Sequence, residues 1–354
     1  MKLKHISFLL LFVLVLSCNK KIDNTLRVSL ANPLIMDYWD NYVRCYSVAY
    51  MDGNDLYYPV PLHYEFEKKD NVTKREVFIS TNENMDESMK YVTTKNFIDI
   101  EHLYANTKYY LKFNEYDGEE KVSSSDVQKI ETLDYPRALN IPRVSNTRDI
   151  GNLSTKDGHR LAQGKIYRGA NLDSIRNDGI SVLAGELGVN TDLDLRKPGE
   201  GSAGLGSPAI GLNYINISGV MYVAGDGGIR ASNNAETIRK EIQVFANPDN
   251  YPIYFHCAVG RDRTGTLAII LEALLGVEKD MILKEYELSF LSASGFNESP
   301  EELLMYAENV VGYIAFTGQD NPNDDLAACT KNWLVNDIGV TEEEIDIIKD
   351  IMID

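Results

Sequence analysis

One short run, lying between a strand-like and a helix-like segment, constrains this 354-residue chain more than any other feature. It reads His-Cys-Ala-Val-Gly-Arg-Asp-Arg-Thr-Gly, from His256 to Gly265. Residues 251–255 are aromatic and β-branched, which is typical of a buried strand, and residues 264–275 favour a helix. The sequence therefore predicts a strand, a glycine-bearing loop and a helix N-terminus in succession.

The predicted loop has the composition of an oxyanion site with a nucleophile at its base. Loop N–H groups and a helix dipole bind anions and lower a thiol pKa, so we expect Cys257 to be a thiolate at neutral pH. Arg263 can hold two phosphoryl oxygens with its planar fork. His256 would orient the loop, and the Thr264 hydroxyl would hydrogen-bond the sulfur and assist its departure. The other predicted phosphate-binding residues are Ala258, Val259, Gly260, Arg261 and Asp262.

A lone cysteine at a strand end is more often a small buried hydrophobe than a nucleophile. The histidine before Cys257, and the glycine, arginine and threonine after it, favour the nucleophile here. The run resembles the His-Cys-x5-Arg-Thr signature of the protein tyrosine phosphatase superfamily.

A second set of motifs narrows this resemblance. The segments Asn146–Asn152, Lys165–Arg168 and Asp192–Arg196 are similar to the pattern of bacterial tyrosine phosphatase family 3 and its PtpB-like group. The resemblance covers residues 137–354 and implies an α/β phosphatase domain, with a central sheet flanked by helices, that works through phosphocysteine without cofactor or metal. Arg261 stands where lysine is usual, which leaves the preferred head group open, and Asn152 replaces a glycine.

Two aspartates are candidates for the general acid that protonates the leaving oxygen. Asp262 lies inside the loop, and the resemblance to the PtpB-like group implies a catalytic role for it. Asp226 lies in a Gly-Asp-Gly-Gly run, 31 residues before Cys257, a separation similar to that in dual-specificity phosphatases. Asp262 could instead accept loop N–H bonds, and Asp226 could simply be a turn residue.

Three arginines, Arg148, Arg168 and Arg196, follow or end strand-like runs at the edge where a cleft forms in an α/β sheet. We expect Arg148 and Arg196 to be structural or site-lining members of ion pairs rather than catalytic residues. Asp149 and Asp194 are their candidate partners.

Overall charge excludes some partner classes. The net charge of −18 argues against nucleic acid as a partner, so a phosphate substrate depends on local positive charge in the loop. No metal-ligand spacing is present, and five scattered histidines do not suggest a metal site.

The N-terminus predicts export. Two lysines precede an apolar run, Ile6–Leu16, that is too short to span a membrane and has the pattern of a signal peptide. Residues 15–18, Val-Leu-Ser-Cys, resemble a bacterial lipobox, so residues 1–18 are predicted to be a lipoprotein signal with Cys18 as the lipidated residue. An ordinary cleaved signal is the alternative. The prediction places the protein in the cell envelope, outside the cytoplasm, with the outer membrane of a Gram-negative bacterium favoured.

Residues 27–133 have a different texture, with short β-rich runs separated by polar turns, which predicts a small all-β sandwich before the catalytic domain. The predicted strands include residues 42–49, 64–67, 77–80, 97–100 and 108–116. The stretch Leu103–Tyr109 resembles the tyrosine corner of fibronectin type III modules.

Together these features predict a cysteine-dependent phosphomonoesterase that is protein tyrosine phosphatase-like, with dual specificity open. The alternative within the class is a phosphoinositide or inositol-phosphate phosphatase, which the extra cation Arg261 favours. The alternative from another class is a catalytically silent module that binds a phosphorylated partner, and a rhodanese-type sulfur transferase fits the arginine motifs less well.

Overall fold

The computed structural model describes residues 25–41, 56–222, 228–292 and 300–354. The predicted strand at residues 42–49, the signal segment with Cys18, and Asp226 lie outside these ranges.

The first part of the chain forms two β-sheets. The strands are β1 (Leu26–Val28), β2 (Leu62–Glu65), β3 (Lys74–Ser80), β4 (Met89–Thr93), β5 (Phe97–Ile100), β6 (Lys108–Asp117), β7 (Glu120–Ser124) and β8 (Gln128–Thr132). One sheet has the order β1-β8-β6-β3-β4, with β7 also paired to β6, and the other pairs β2 with β5. Alternate residues of β3, including Val77 and Ile79, are buried in a hydrophobic cluster shared with Ile98, Ile100 and Leu111.

A short turn before β6 is closed by Tyr109, which ends the stretch that resembles a tyrosine corner. The backbone N–H of Tyr104 donates to the Tyr109 hydroxyl at 2.8 Å, and Tyr109 is buried. This contact fixes the turn that leads into β6.

A helix near the N-terminus was not predicted. Helix α1 (Pro33–Asn41) follows β1, and its Ile35 and Tyr38 are buried with residues of the second part of the chain, as is Tyr57. The segment before β2 therefore contributes to both hydrophobic cores.

The second part is an α/β unit around one five-stranded sheet. Its strands are β9 (Arg148–Asp149), β10 (Ile166–Gly169), β11 (Thr191–Asp194), β12 (Asn213–Asn216) and β13 (Ile253–His256). Their order is β12-β11-β13-β10-β9, and every pairing is parallel except β9 with β10. The register places Gly169 and Asp194 on either side of His256, so three parallel strands end side by side at one edge.

Helices cover this sheet. They are α2 (Asn177–Ile180), extended by a π-turn over Ser181–Glu186, then α3 (Ala235–Phe245), α4 (Asp262–Leu274), α5 (Lys279–Glu287), α6 (Pro300–Thr317), α7 (Leu326–Trp333) and α8 (Glu342–Met352). Helix α4 is buried along nearly its whole length. Helix α8 begins with a capping box, in which the Thr341 side chain accepts from the Glu344 N–H and the Glu344 carboxylate accepts from the Thr341 N–H.

Within the described ranges, each helix is too short or too polar to cross a bilayer.

Candidate active site

Cys257 lies immediately after β13, in the loop that leads to helix α4. Its side chain is 1% exposed. Gly260 has a φ of 73°, and a Cβ at this position would collide with the backbone of Gly169 at the end of β10. Glycine is required here because the loop turns through left-handed backbone while pressed against a neighbouring strand.

Three carbonyl groups of the loop are held by donors outside it. The side-chain amide of Asn171 donates to Ala258 O at 2.7 Å and that of Asn146 donates to Val259 O at 3.0 Å. Arg168 Nη2 donates to Gly260 O at 2.9 Å. In a planar trans peptide the N–H points opposite to the C=O, so holding these carbonyls outward turns the next three amides toward the loop interior. The loop is thereby built as an anion cradle.

Two of these donors, Asn146 and Arg168, are themselves fixed by a buried ionic cluster. Arg148 Nε donates to Glu285 Oε1 at 2.6 Å, and Arg168 Nη1 donates to Glu285 Oε2 at 2.7 Å. Arg148 Nη1 also donates to Asn146 Oδ1 at 2.6 Å. Burial opposes ionisation, but the two arginines hold the pKa of Glu285 below its usual value. Burial and the Glu285 charge raise the pKa of neighbouring Glu272 well above its usual value, which favours its uncharged form.

His256 lies at the end of β13 and is fully buried. Its Nε2 lies 2.9 Å from Asp192 Oδ1, and its Nδ1 lies 3.0 Å from the carbonyl oxygen of Cys257. Burial alone lowers the pKa of His256, but the Asp192 contact outweighs it and leaves the pKa raised. With both ring nitrogens bonded to oxygen acceptors, His256 fixes the start of the loop.

The thiol is poised to ionise. Burial raises the pKa of Cys257, but hydrogen bonds from the hydroxyl and amide of Thr264 outweigh this, and Arg263 adds to them, so that the pKa falls below its usual value. Among the described residues the buried Thr264 hydroxyl has no partner other than this sulfur. The arrangement is the one that a nucleophilic thiolate needs.

Arg263 lies in the first turn of α4 and is directed at a carboxylate. Its Nη1 and Nη2 donate to Glu200 Oε1 and Oε2 at 3.1 and 2.8 Å. Glu200 belongs to the glycine-rich stretch between β11 and β12, which folds as a series of turns. That stretch therefore reaches the phosphate loop.

A sequence model of the tyrosine phosphatase family matches residues 139–354, which carry every contact described above. The chain belongs to this family. The match agrees with the α/β architecture and with the Cys-x5-Arg loop that the structure places at the ends of three parallel strands.

Individual relatives are more distant. A Cupriavidus necator protein named as a tyrosine-protein phosphatase is 29% identical over 178 residues, which is 44% of this chain and 64% of that protein. The inositol diphosphatase Siw14 of Saccharomyces cerevisiae is 28% identical over 113 residues, which is 30% of this chain and 40% of that protein. The chain thus spans less than two thirds of either relative. The crystal structure of TpbA from P. aeruginosa with pTyr has 17% identity and a TM-score of 0.31, and covers 50% of this chain and 90% of that one.

Within this phosphatase fold, Asp262 is surrounded by donors. Arg261 Nε donates to its Oδ1 at 2.7 Å, and the Tyr222 hydroxyl donates to the same oxygen. The Tyr222 hydroxyl also lies 2.9 Å from that of Tyr286. Asp262 is therefore tied to Tyr222, at the end of the described segment 56–222.

The predicted arginine–aspartate pairs fall in two different places. Arg196 donates through Nε and Nη2 to the two carboxylate oxygens of Asp194, at 2.9 and 2.8 Å. Arg148, by contrast, pairs with Glu285, and Asp149 accepts from Arg137 at 2.7 Å. Arg148 and Asp149 are adjacent in β9, so their side chains point to opposite faces of the sheet and meet different partners.

Several residues of the site have no role predicted from the sequence, among them Asn146, Arg168, Asn171 and Glu285. Asn146 and Arg168 lie within the motifs that carried the family resemblance, so the signal was present but gave no role. Glu285 is distant in sequence and lies in a helical segment of ordinary composition. Its function depends on packing that brings α5 beneath β9 and β10.

No set of three or more metal-ligating side chains occurs in the part of the chain that the structure describes.

Proposed function

We propose that this protein is a cysteine-dependent phosphomonoesterase that acts through a phosphocysteine intermediate. The observation that carries the proposal is the Cys257 thiol with a lowered pKa at the base of a loop whose Ala258, Val259 and Gly260 carbonyls are held by donors outside the loop. Membership of the tyrosine phosphatase family supports it.

In the first step, the Cys257 thiolate attacks phosphorus, a sulfur–phosphorus bond forms, and the bond to the leaving oxygen breaks. A general acid supplies the proton that the leaving oxygen needs. Arg263 and the inward loop amides stabilise charge on the three other phosphoryl oxygens. In the second step, water attacks phosphorus and gives a proton to the carboxylate left by the general acid. The sulfur–phosphorus bond breaks and inorganic phosphate leaves, while Thr264 hydrogen-bonds the departing thiolate.

The general acid is proposed to be Asp262 or Asp226. Asp262 lies in the first turn of α4, close enough for its charge to act on the pKa of Cys257. Its carboxylate already accepts from Arg261 and Tyr222. Asp226 has the sequence separation associated with an acid-bearing loop.

Phosphotyrosine in a protein is the proposed substrate, with dual specificity open. The inositol-phosphate alternative draws support from the similarity to Siw14, named as an inositol diphosphatase. The extra cation that favoured this alternative, Arg261, is 5% exposed and paired with Asp262, so its charge is not directed at solvent. The pairing of Arg261 with Asp262 removes the argument from Arg261 for an inositol phosphate, and this favours the protein substrate.

The β-rich part, residues 27–133, is proposed to be a fibronectin type III-like sandwich that serves as a spacer or docking module. The shared hydrophobic cluster of its two sheets and the contact between Tyr104 and Tyr109 support this proposal.

Export and lipidation at Cys18 are proposed from the signal and lipobox pattern, with the mature protein anchored in the cell envelope, in the outer membrane of a Gram-negative bacterium. Labelling cells with a palmitate analogue tests this. The wild-type chain should incorporate label and Cys18→Ala should not, and equal labelling of the two would reject the anchor.

The enzyme itself is tested by release of inorganic phosphate, without added metal, from four substrates: a phosphotyrosine peptide, a phosphoserine peptide, phosphoinositides and soluble inositol phosphates. Release that disappears in Cys257→Ser would support the phosphatase, and the preferred substrate would choose between protein and inositol substrates. Phosphate binding without release would instead favour the silent binding module.

A further inference from the structure

Tyr57 lies outside the segment matched by the family, yet its side chain is buried in the core of the catalytic unit. Only 4% of it is exposed, and it belongs to the hydrophobic cluster that contains Cys257 and most of helix α4. The backbone before it is also fixed, because the Leu56 N–H donates to Leu291 O at 2.8 Å. The catalytic core thus includes residues from the β-rich part, in the segment between β1 and β2.

The Tyr57 ring contacts the ionic cluster that holds the phosphate loop. The central carbon of the Arg148 guanidinium lies 5.5 Å from the ring centroid, which is a cation–π distance. Glu285 is shared between Arg148 and Arg168, so the ring face is a second electron-rich surface against the Arg148 cation.

From Arg148 two short routes lead to the loop. The first passes through the Asn146 side chain, which accepts from Arg148 at 2.6 Å and donates to Val259 O at 3.0 Å. The second passes through Glu285 to Arg168, which donates to Gly260 O. Both routes end on carbonyls whose outward direction turns loop amides toward the bound anion.

We propose that Tyr57 is a positioning residue for the phosphate loop. By restricting the Arg148 guanidinium to one place and orientation, its ring keeps Asn146 and Glu285 aligned and so sets the anion affinity of the loop. The proposal rests on the proposed function only for its effect on turnover, because anion binding requires no chemistry.

The test compares full-length chains carrying Tyr57→Leu, Tyr57→Phe and Ile35→Ala. Ile35 is equally buried in the same cluster and is the matched control for a core defect. Inorganic phosphate binding is measured by calorimetry, thermal unfolding gives the stability, and the rate of Cys257 alkylation across pH reports the thiolate.

Tyr57→Leu is expected to weaken phosphate binding on the order of tenfold and to move the alkylation profile to higher pH. Tyr57→Phe, which keeps the ring, is expected to keep the phosphate affinity and the alkylation profile of the wild type. Ile35→Ala should lower the melting temperature with phosphate binding unchanged. If Tyr57→Leu does not fold, Tyr57→Met is judged by the same criteria.

The proposal is overturned if Tyr57→Leu loses stability as Ile35→Ala does while its phosphate affinity and alkylation profile match those of the wild type. A chain that binds phosphate with these differences but releases none would reject the phosphatase and retain the role of Tyr57. Phosphate release by the wild type, with phosphate affinity and alkylation profile unchanged in Tyr57→Leu, would retain the phosphatase and reject the role of Tyr57.

Discussion

The Arg263 guanidinium forms a two-pronged ion pair with Glu200, with nitrogen–oxygen distances of 3.1 and 2.8 Å. A phosphoryl group bound in the loop would need the same fork of Arg263 for two of its oxygens. Glu200 therefore occupies the place on Arg263 that a substrate must take.

We expect Glu200→Gln to lower the KM for a small phosphate ester about threefold to fivefold, because the substrate no longer displaces a competing carboxylate. The pair is partly exposed, so its contribution is limited to about 1 kcal/mol. Steady-state kinetics and the inhibition constant of inorganic phosphate measure the effect.

Glu236→Gln is the control, since Glu236 pairs with Arg239 on exposed helix surface. It should leave KM unchanged. A higher KM in Glu200→Gln would mean that Glu200 holds Arg263 in its working orientation rather than competing for it.

Thr264→Ala should raise the pKa of Cys257, because the hydroxyl that stabilises the thiolate is lost while burial of the sulfur remains. The thiolate fraction below that pKa then falls, so the acidic limb of the kcat/KM profile moves to higher pH. Alkylation of Cys257 across pH should show the same displacement. Coincident profiles for variant and wild type would exclude this role of Thr264.

The two candidate acids are separated by Asp262→Asn and Asp226→Asn. The variant that removes the general acid should lose the basic limb of the pH–rate profile, because protonation of the leaving oxygen no longer titrates. Asp262 accepts from Arg261 and Tyr222, so Asp262→Asn should also alter phosphate affinity. Unchanged profiles in both variants would reject both assignments.

Glu285→Gln should destabilise the protein by about 3–5 kcal/mol at pH 7, because it leaves Arg148 and Arg168 buried without a carboxylate. Glu272→Gln is the matched control: the raised pKa of Glu272 favours its uncharged form, so the amide should cost little. Chemical denaturation measures both, and equal losses would show that Glu272 is ionised in the folded protein.

Glu241 on helix α3 should make stability depend on pH. Burial raises the pKa of Glu241 to about 8 from its usual 4.5. Since the folded pKa is the higher one, its contribution is complete below pH 4.5 and is lost as pH rises toward 8, on the order of 3–5 kcal/mol.

Glu241→Gln should therefore be more stable than the wild type at pH 8 and similar to it at pH 4.5. Urea midpoints at the two pH values measure this. A variant that loses equal stability at both would show that the carboxyl itself, rather than its ionisation, matters.

Local patterns predicted the nucleophile loop and the elements that flank it, since Cys257, Gly260 and Arg263 are adjacent in sequence and need no long-range information. The predicted helix start was two residues late, because Asp262 and Arg263 already lie in the first turn. The exposed edge strand Met89–Thr93 was not predicted, because its residues do not alternate between apolar and polar.

Partners distant in sequence could not be predicted. The contact of Arg148 with Glu285 joins residues 137 positions apart, and Asp149, adjacent to Arg148, was the nearer candidate. The choice depends on which face of β9 meets α5, which a single sequence does not specify.

The shared carboxylate beneath the loop has an electrical consequence. Arg148 and Arg168 share the Glu285 carboxylate, and the raised pKa of Glu272 favours its uncharged form, so positive charge is in excess next to the loop, in a protein whose net charge is −18. Because this charge is buried, mobile ions screen it poorly. The attraction between the cradle and an incoming phosphate dianion should therefore persist at salt concentrations that abolish the repulsion from the acidic surface.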